Sequence, residues 1–165
     1  MTDAIREFGT PREDEERRDG GCAVVYDPTA KQYAVGRRGD GLLIFFSGGV
    51  EAGEDIIDGI LREVREESGL HDFAHVEQIA EAMTHYRNEA KGVNRVAHAT
   101  CLLAILASRG TLPTKLEAHE DFALEWASPE EIRANWAEHN GAHDLDHWLY
   151  FLERGVARLG ELGYA

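Results

Sequence analysis

The chain has 165 residues, of which 43% are hydrophobic, 31 are Asp or Glu and 17 are Lys or Arg. This length and apolar content suit one domain with a substantial core, and they require no second domain. The net charge of −14 argues against long nucleic acid as a partner, because a phosphate backbone attracts a basic surface. A small anionic substrate is compatible with this charge if metal ions and a few local basic residues neutralise the site.

Cysteine use and hydropathy indicate the compartment. Cys22 and Cys101 both lie inside apolar runs, which is typical of reduced core residues in a cytoplasmic protein. We find no signal-peptide pattern and no apolar run of membrane-spanning length, so we expect a cytoplasmic protein that does not contact a membrane.

The first predicted elements are short strands. Residues 11–20 contain no apolar side chain apart from proline and glycine, so we predict that residues 1–20 form a flexible charged lead-in and that residues 21–165 form a single domain. Two strands at 22–26 and 32–36 are predicted to form a hairpin, and a third apolar run follows at 42–46.

Longer strands and two helices are predicted in the second half. Strands at 76–85 and 96–106 flank a polar connection at 87–94, and another strand is predicted at 122–126. Ser128 and Glu131 have capping-box spacing around Pro129, which predicts a helix to about residue 138. Apolar residues at helical spacing predict a terminal amphipathic helix from about residue 142, with Leu149 in its buried stripe.

The most informative segment lies between residues 48 and 70 and reads GGVEAGEDIIDGILREVREESGL. At about 100° per residue, its aliphatic side chains form one continuous arc, Glu67 falls inside that arc, and Glu63 and Glu66 lie beside it. Carboxylates so close together repel each other and lose hydration, which a divalent cation would relieve. All-oxygen ligands suit Mg²⁺ or Mn²⁺ better than Zn²⁺.

Three flanking features support a ligand site on this helix. The glycines upstream form a loop that leads to a helix N-terminus, where backbone N–H groups favour anions. Gly59 leaves clearance on the side of Glu63 and Glu66, and Arg62 is positioned to reach either Glu54 or Glu66. A solvated surface helix that is merely rich in glutamate would not require this whole set of spacings.

The segment resembles the Nudix box, G-x5-E-x7-R-E-U-x-E-E-x-G-U, where U is a bulky aliphatic residue. Nine fixed positions match, which makes the motif highly specific. They are Gly48, Glu54, Arg62, Glu63, Val64, Glu66, Glu67, Gly69 and Leu70. The lead-in differs slightly, because many family members have P-G-G where this chain has Phe46, Ser47 and Gly48.

The resemblance implies an α/β fold of the α/β/α-sandwich type, with a mixed sheet flanked by helices. It also implies an enzyme that hydrolyses a diphosphate bond in a nucleoside diphosphate linked to another moiety. Mg²⁺ or Mn²⁺ would be held by Glu63, Glu66, Glu67 and the Gly48 carbonyl, and Arg62 would orient the carboxylates. A homodimer is common in the family, although no feature of this sequence demands one.

Each candidate site residue outside the box has a functional and a structural interpretation. The resemblance assigns an extra metal ligand or the general base to a glutamate before the last strand, where Glu120 matches best and Glu117 second; an exposed acidic loop is the alternative. Arg37 and Arg38 are candidates for binding substrate phosphates, or else an exposed pair. Aromatic candidates for stacking on a base, for which core packing is the default, are Phe46, Tyr86 and Trp126.

Histidines do not carry a separate function in this interpretation. His143 and His147 have the i, i+4 spacing of a zinc helix, but Asp144 replaces the glutamate that the motif requires, and we place both on the solvated face. His85 and His98 lie in strand patterns and are interpreted as structural.

Two competing functions remain at this stage. The first is a non-catalytic module that senses or binds a nucleotide, although such relatives usually have a degraded box. The second is an isomerase of isoprenoid diphosphates, which would bring a cysteine into the site; neither Cys22 nor Cys101 is placed for that role.

Overall fold

A single sheet organises the molecule. The computed structural model describes residues 4–118, 120–140 and 144–164. Within these residues the strands are β1 (Arg6–Phe8), β2 (Glu16–Arg17), β3 (Gly20–Asp27), β4 (Gln32–Arg38), β5 (Leu43–Ile44), β6 (Phe46–Gly49), β7 (Phe73–Asn88), β8 (Val93–Leu106) and β9 (Phe122–Ala127). The helices are α1 (Ile56–Ser68), α2 (Pro129–His139) and α3 (Asp146–Glu161).

The sheet is mixed. Its main strand order is β1-β7-β8-β3-β4-β5, while β2 pairs with β8, β6 with β3 and β9 with β4. The central pair, β3 and β8, is parallel, whereas β7 and β8 form a long antiparallel hairpin. That pairing continues to Asn88 opposite Val93, so the polar connection predicted at 87–94 is shortened to a four-residue turn at 89–92.

Alternation along the central strands sends side chains into two separate cores. In β3, Val24 and Tyr26 face one core, while Ala23 and Val25 face the other. The first core is covered by α2 and α3, and the second by α1 through Ile60 and Val64. The predicted α/β/α sandwich is therefore confirmed.

Local capping chemistry sets the ends of α1 and α2. The Asp55 side chain accepts hydrogen bonds from the backbone N–H groups of Ile57 and Asp58, and Gly69 ends the helix with φ of 82°. At α2 the predicted capping box of Ser128 and Glu131 is confirmed, with both hydrogen bonds present.

The last helix departs from its prediction. α3 begins at Asp146, and the predicted start near residue 142 lies outside the described residues. Leu149 is 40% exposed, so its assignment to the buried stripe was wrong. α3 does bury Leu152 and Leu159, as the stripe predicted, and it also buries Phe151. The sequence pattern contained enough apolar residues for two adjacent faces, and contact with the sheet selected one of them.

The N-terminal segment also departs from its prediction. We expected ordered structure from near Gly21, but β1 pairs with β7 and β2 pairs with β8. His85 lies between two carboxylates of this segment, 2.6 Å from Glu7 and 2.8 Å from Glu15. Long-range strand pairing and these ion pairs order a polar sequence whose composition indicated solvation.

The described part of the chain includes no helix that is both long and apolar enough to cross a membrane.

Candidate active site

The glycine loop is packed tightly against the box helix. β6 carries Gly48 and Gly49, which pair with Gly21 and Gly20 of β3 and so fix the loop to the sheet. A Cβ atom added at Gly48 would lie 2.3 Å from the Cδ of Glu63. Because real Cβ atoms do not approach so closely, only glycine lets the loop lie directly against the Glu63 carboxylate.

Arg62 connects the carboxylates of the box. Its Nε donates to Glu54 at 2.8 Å, and its Nη1 donates to Glu63 at 3.0 Å and to Glu66 at 3.2 Å. Its Nη2 lies 3.3 Å from the carbonyl oxygen of Gly49. Arg62 was predicted to reach Glu54 or Glu66, and it reaches both. The planar guanidinium therefore fixes the loop and the helix in one arrangement.

These contacts have opposite effects on two carboxyl groups. The hydrogen bonds from Arg62 hold the pKa of Glu54 at about 2, so Glu54 stays charged. Burial raises the pKa of Glu63, although its hydrogen bond and attraction to Arg62 work in the other direction. Glu54 is thus a permanent anchor for Arg62, while Glu63 is a partly dehydrated carboxyl group next to the loop.

Glu67 is the most buried of the box glutamates, with 7% of its surface exposed. Its Oε1 accepts a hydrogen bond from the backbone N–H of Ser47 at 2.9 Å. Burial, a hydrogen bond with Glu120 and repulsion from Glu120 and Glu63 together raise its pKa to about 10, against the lowering effect of Ser47. The helical geometry that placed Glu67 within the apolar arc correctly predicted this burial.

Glu120 joins this group from the other side of the fold. It belongs to the segment before β9, and its Oε1 accepts a hydrogen bond from the backbone N–H of Glu117 at 2.8 Å. It lines the same cleft as Gly48, Glu63, Glu67 and Glu117. The family resemblance therefore pointed to Glu120, and the fold does bring Glu120 to the box.

The donor set suits a hard divalent cation. Glu63, Glu67 and Glu120 crowd one end of the cleft with dehydrated oxygens, and such a cluster gains stability when a cation neutralises it. In the described residues, no group of three or more His, Cys, Asp or Glu side chains already has the arrangement of a complete metal site. Glu63 and Glu66 are instead turned toward Arg62.

The candidate substrate residues fall in different places. Arg38 and Tyr86 line the cleft. Arg37 instead pairs with Glu125 at 2.9 Å and donates to the carbonyl oxygen of Gly41. Phe46 is 0% exposed and packs in the core beneath α1, so its proposed contact with a base is wrong. Alternation in β6 points Phe46 inward, and the short apolar run did not reveal which face it would occupy.

Other singled-out residues have structural partners. The Trp126 ring is covered by Arg109, whose Cζ lies 3.6 Å from the ring centroid. His98 lies 3.4 Å from Glu81, consistent with a structural histidine. His147 is half-buried, its ring lies near those of Phe8 and Phe151, and burial lowers its pKa to about 4, so our placement of it on the solvated face was wrong. His143 lies outside the described residues.

Sequence reasoning missed several arginines of the cleft, among them Arg18 and Arg95. Arg18 was assigned to the solvated lead-in, and Arg95 was placed between a loop and a strand; both line the cleft. A usable signal existed for Arg95, because Arg95, Ala97 and Ala99 alternate along β8 and share one face. Arg18 offered no comparable pattern.

Comparisons with known proteins agree with this geometry. The NUDIX domain family model matches residues 16–149. No curated protein sequence matches the chain. Among solved structures, a NUDIX hydrolase from Nitrosomonas europaea is 23% identical with a TM-score of 0.58, covering 86% of this chain and 90% of that chain.

Two other structures have informative ligands or names. The C. elegans Ap4A hydrolase is 16% identical with a TM-score of 0.63, covering 87% of this chain and 98% of that chain. The NUDIX domain of Shewanella oneidensis NrtR, solved with ADP ribose, is 15% identical with a TM-score of 0.64, covering 92% and 94%. At these identities the likenesses show a shared fold. Because the family model spans most of the chain and every fixed position of the box is present, the chain belongs to the Nudix family and is a Nudix-type pyrophosphohydrolase.

Proposed function

We propose that the protein is a Mg²⁺- or Mn²⁺-dependent hydrolase that cleaves the diphosphate bond of a nucleoside diphosphate linked to another moiety. The observation that carries this proposal is the meeting of Glu63, Glu67 and Glu120 beside Gly48 at one end of a large cleft. These oxygens can hold a hard cation, and the cleft beside them can hold a small-molecule substrate.

Each residue has a role that follows from its contacts. Glu63, Glu66, Glu67 and the Gly48 carbonyl would hold the metal, with Glu120 as a further ligand. When bound, the metal would neutralise charge on the phosphate oxygens and lower the pKa of a water molecule. Arg62 keeps Glu63 and Glu66 beside the loop, and Ser47 fixes one oxygen of Glu67. Arg38 and Tyr86 line the cleft, and from its wall they would contact the substrate.

The attacking water must lose a proton, and two carboxylates are candidates to accept it. Glu66 is held by Arg62 at 3.2 Å, and Glu120 faces Glu67 across the cleft end. Glu120→Gln and Glu66→Gln can be separated by measuring metal affinity beside turnover. The general base is the residue whose variant loses turnover while metal affinity is kept.

A substrate panel with a metal control tests the proposal. The panel contains nucleoside triphosphates, dinucleoside polyphosphates such as Ap4A, ADP ribose and other nucleotide sugars, and capped RNA ends. We expect hydrolysis of at least one member with Mg²⁺ or Mn²⁺, loss of activity with EDTA, and recovery when metal is returned. Hydrolysis that is indifferent to chelation would contradict the proposed site.

The proposed location is cytoplasmic. Cys22 and Cys101 are free and buried, and they lie opposite each other in register on β3 and β8. Burial and the neighbouring Cys22 raise the pKa of Cys101. Two adjacent free thiols in a core suit a reducing compartment.

A further inference from the structure

The cleft has two chemically different ends. It has a volume of about 1170 Å³, which exceeds the usual size of a pocket for one small molecule. One end, here called the acidic end, contains Glu63, Glu67 and Glu120 beside Gly48. The other, here called the basic end, contains Arg12, Arg87, Lys91 and Arg95, together with the acidic Glu89 and Asp144. Carboxylates line this end too, with Asp144 3.5 Å from Arg12 and Glu89 3.9 Å from Arg87, so the indication of an anionic ligand comes from the buried Arg95 and not from the number of cations.

Arg95 is the most unusual member of the basic end. Its side chain is 8% exposed, and its Nε has no hydrogen-bond partner within the part of the chain that the structure describes. Its Nη2 lies 3.5 Å from an oxygen of Glu16, whose own side chain is 56% exposed. Burying a guanidinium with one long ion pair and an unpaired N–H group costs free energy, and an anion in the cleft would provide the missing hydrogen bond and counter-charge.

The strand geometry connects Arg95 to the acidic end. Ala99 pairs with Gly20, and Gly20 pairs with Gly49 of the glycine loop. Arg95 lies four residues before Ala99 on the same face of β8, which corresponds to about 13 Å along the strand. Ala97 lies between them, so small side chains form the floor of the cleft along this line.

Arg18 lies between the two ends. A Cβ added at Gly49 would meet the Nε of Arg18 at 2.6 Å, so this guanidinium lies directly against the loop. Its backbone N–H donates to the carbonyl of Val96 on β8, beside Arg95 in sequence. Arg18 therefore lies next to the glycine loop, and Arg95 lies farther from the loop along β8.

We propose that Arg95, together with Arg18, binds an anionic phosphate group of the substrate that lies beyond the hydrolysed bond. The substrate is then a polyphosphate, meaning a nucleoside triphosphate or a dinucleoside polyphosphate. A nucleotide sugar is disfavoured, because its only two phosphates are those that the hydrolysed bond joins. This assignment rests on the proposed function, which places the hydrolysed bond at the acidic end. The position of the basic end does not depend on the proposed function.

Binding of inorganic triphosphate tests the anion site directly. Isothermal titration calorimetry is performed with Mg²⁺ in the Glu66→Gln background, so that turnover does not interfere. We expect Arg95→Met and Arg18→Ala each to weaken triphosphate binding by about 10- to 100-fold, as the loss of a charge-assisted hydrogen bond predicts. Arg65→Ala, an exposed arginine on α1, is the matched control and should leave binding unchanged.

Glu16→Gln separates ligand binding from a structural role. If Arg95 only ties β2 to β8, then Glu16→Gln and Arg95→Met should lower thermal stability alike and leave triphosphate affinity unchanged, which would overturn the proposal. If Arg95 binds the anion, Glu16→Gln should keep or increase the affinity, because it frees the guanidinium. Arg18 is exposed, so Arg18→Ala decides the question even if Arg95→Met does not fold.

Steady-state kinetics test the substrate class. In the otherwise wild-type enzyme, Arg95→Met should raise KM for a polyphosphate substrate by about 10-fold or more and leave KM for ADP ribose unchanged. An equal effect on both substrates, or none on either, would overturn the assignment. If the enzyme hydrolyses no member of the panel, the proposed function fails, while the triphosphate titrations still decide the role of Arg95.

Discussion

The acidic end of the cleft comes mainly from one continuous stretch of chain, whereas the basic end is assembled from two separate segments. Glu63 and Glu67 of the acidic end, and Glu66 beside them, lie within about one helical turn of each other on α1. Arg12 precedes β2, and Arg87, Lys91 and Arg95 belong to the β7–β8 hairpin. Arg18, just before β3, lies between the two ends. The contrast shows that a site built on one helix can be recognised from sequence spacing, while a site built between segments needs the pairing of strands.

The largest expected effect is at the acidic end. Glu66→Gln and Glu67→Gln should each lower kcat by about 10²- to 10⁴-fold, because each loses a charged ligand or proton acceptor while keeping its shape. Asp58→Asn, on the exposed face of the same helix, is the control and should retain activity. Circular dichroism must show that the variants are folded. Near wild-type turnover of both folded variants would contradict the assignment of the box.

A smaller effect is expected from the residue that organises the acidic end. Arg62→Lys keeps the charge but cannot bond Glu54, Glu63 and Glu66 at once. The Mg²⁺ concentration for half-maximal activity should rise by about 10- to 100-fold, as for other residues that orient metal ligands. Arg65→Lys is the control. An unchanged metal requirement would mean that Arg62 does not position the carboxylates.

The exposed cations of the basic end should contribute less to substrate binding than the buried Arg95. Lys91 is exposed at the tip of the hairpin, so Lys91→Gln should raise KM by only about 2- to 5-fold at low salt. The difference should disappear at high salt, because exposed charges are screened. Lys31→Gln, in the exposed turn after β3, serves as the control. An effect as large as that of Arg95→Met would remove the distinction between exposed and buried cations.

The smallest expected effect is a pH dependence of stability at the N-terminal segment. Hydrogen bonds to Glu15 and Glu7 raise the pKa of His85, and Asp144, Asp146 and His147 line the same small cavity. Because the folded-state pKa is raised, the stabilisation is fully present below about pH 6.5 and is lost as pH rises through the folded value.

Thermal unfolding of wild type and the Glu7→Gln, Glu15→Gln double variant measures this effect. The difference in Tm between the two proteins should be larger near pH 6 than near pH 9. Asp14→Asn, an exposed neighbour in the same segment, should show no such trend. A difference that grows with pH would contradict the sign of the argument.

Much of the fold could be predicted from local sequence signals, and the exceptions have identifiable causes. The capping box of Ser128 and the C-cap Gly69 were predictable because their partners lie within a few residues. The strands of residues 6–8 and 16–17 were missed, because their order depends on pairing with β7 and β8. Leu149 was misassigned because periodicity does not say which of two apolar faces will contact the sheet.

By itself, the sequence determined the family and the diphosphate chemistry, through its match to the Nudix box. It also determined the burial of Glu67, because the spacing of residues fixes which side of a helix they occupy. The tertiary structure alone decided that Glu120 reaches the box and that Phe46 is buried. It also decided that Arg18 and Arg95 line the same cleft as the box glutamates. The physical reason is that these positions depend on strand register and loop packing between distant segments, which no local periodicity encodes.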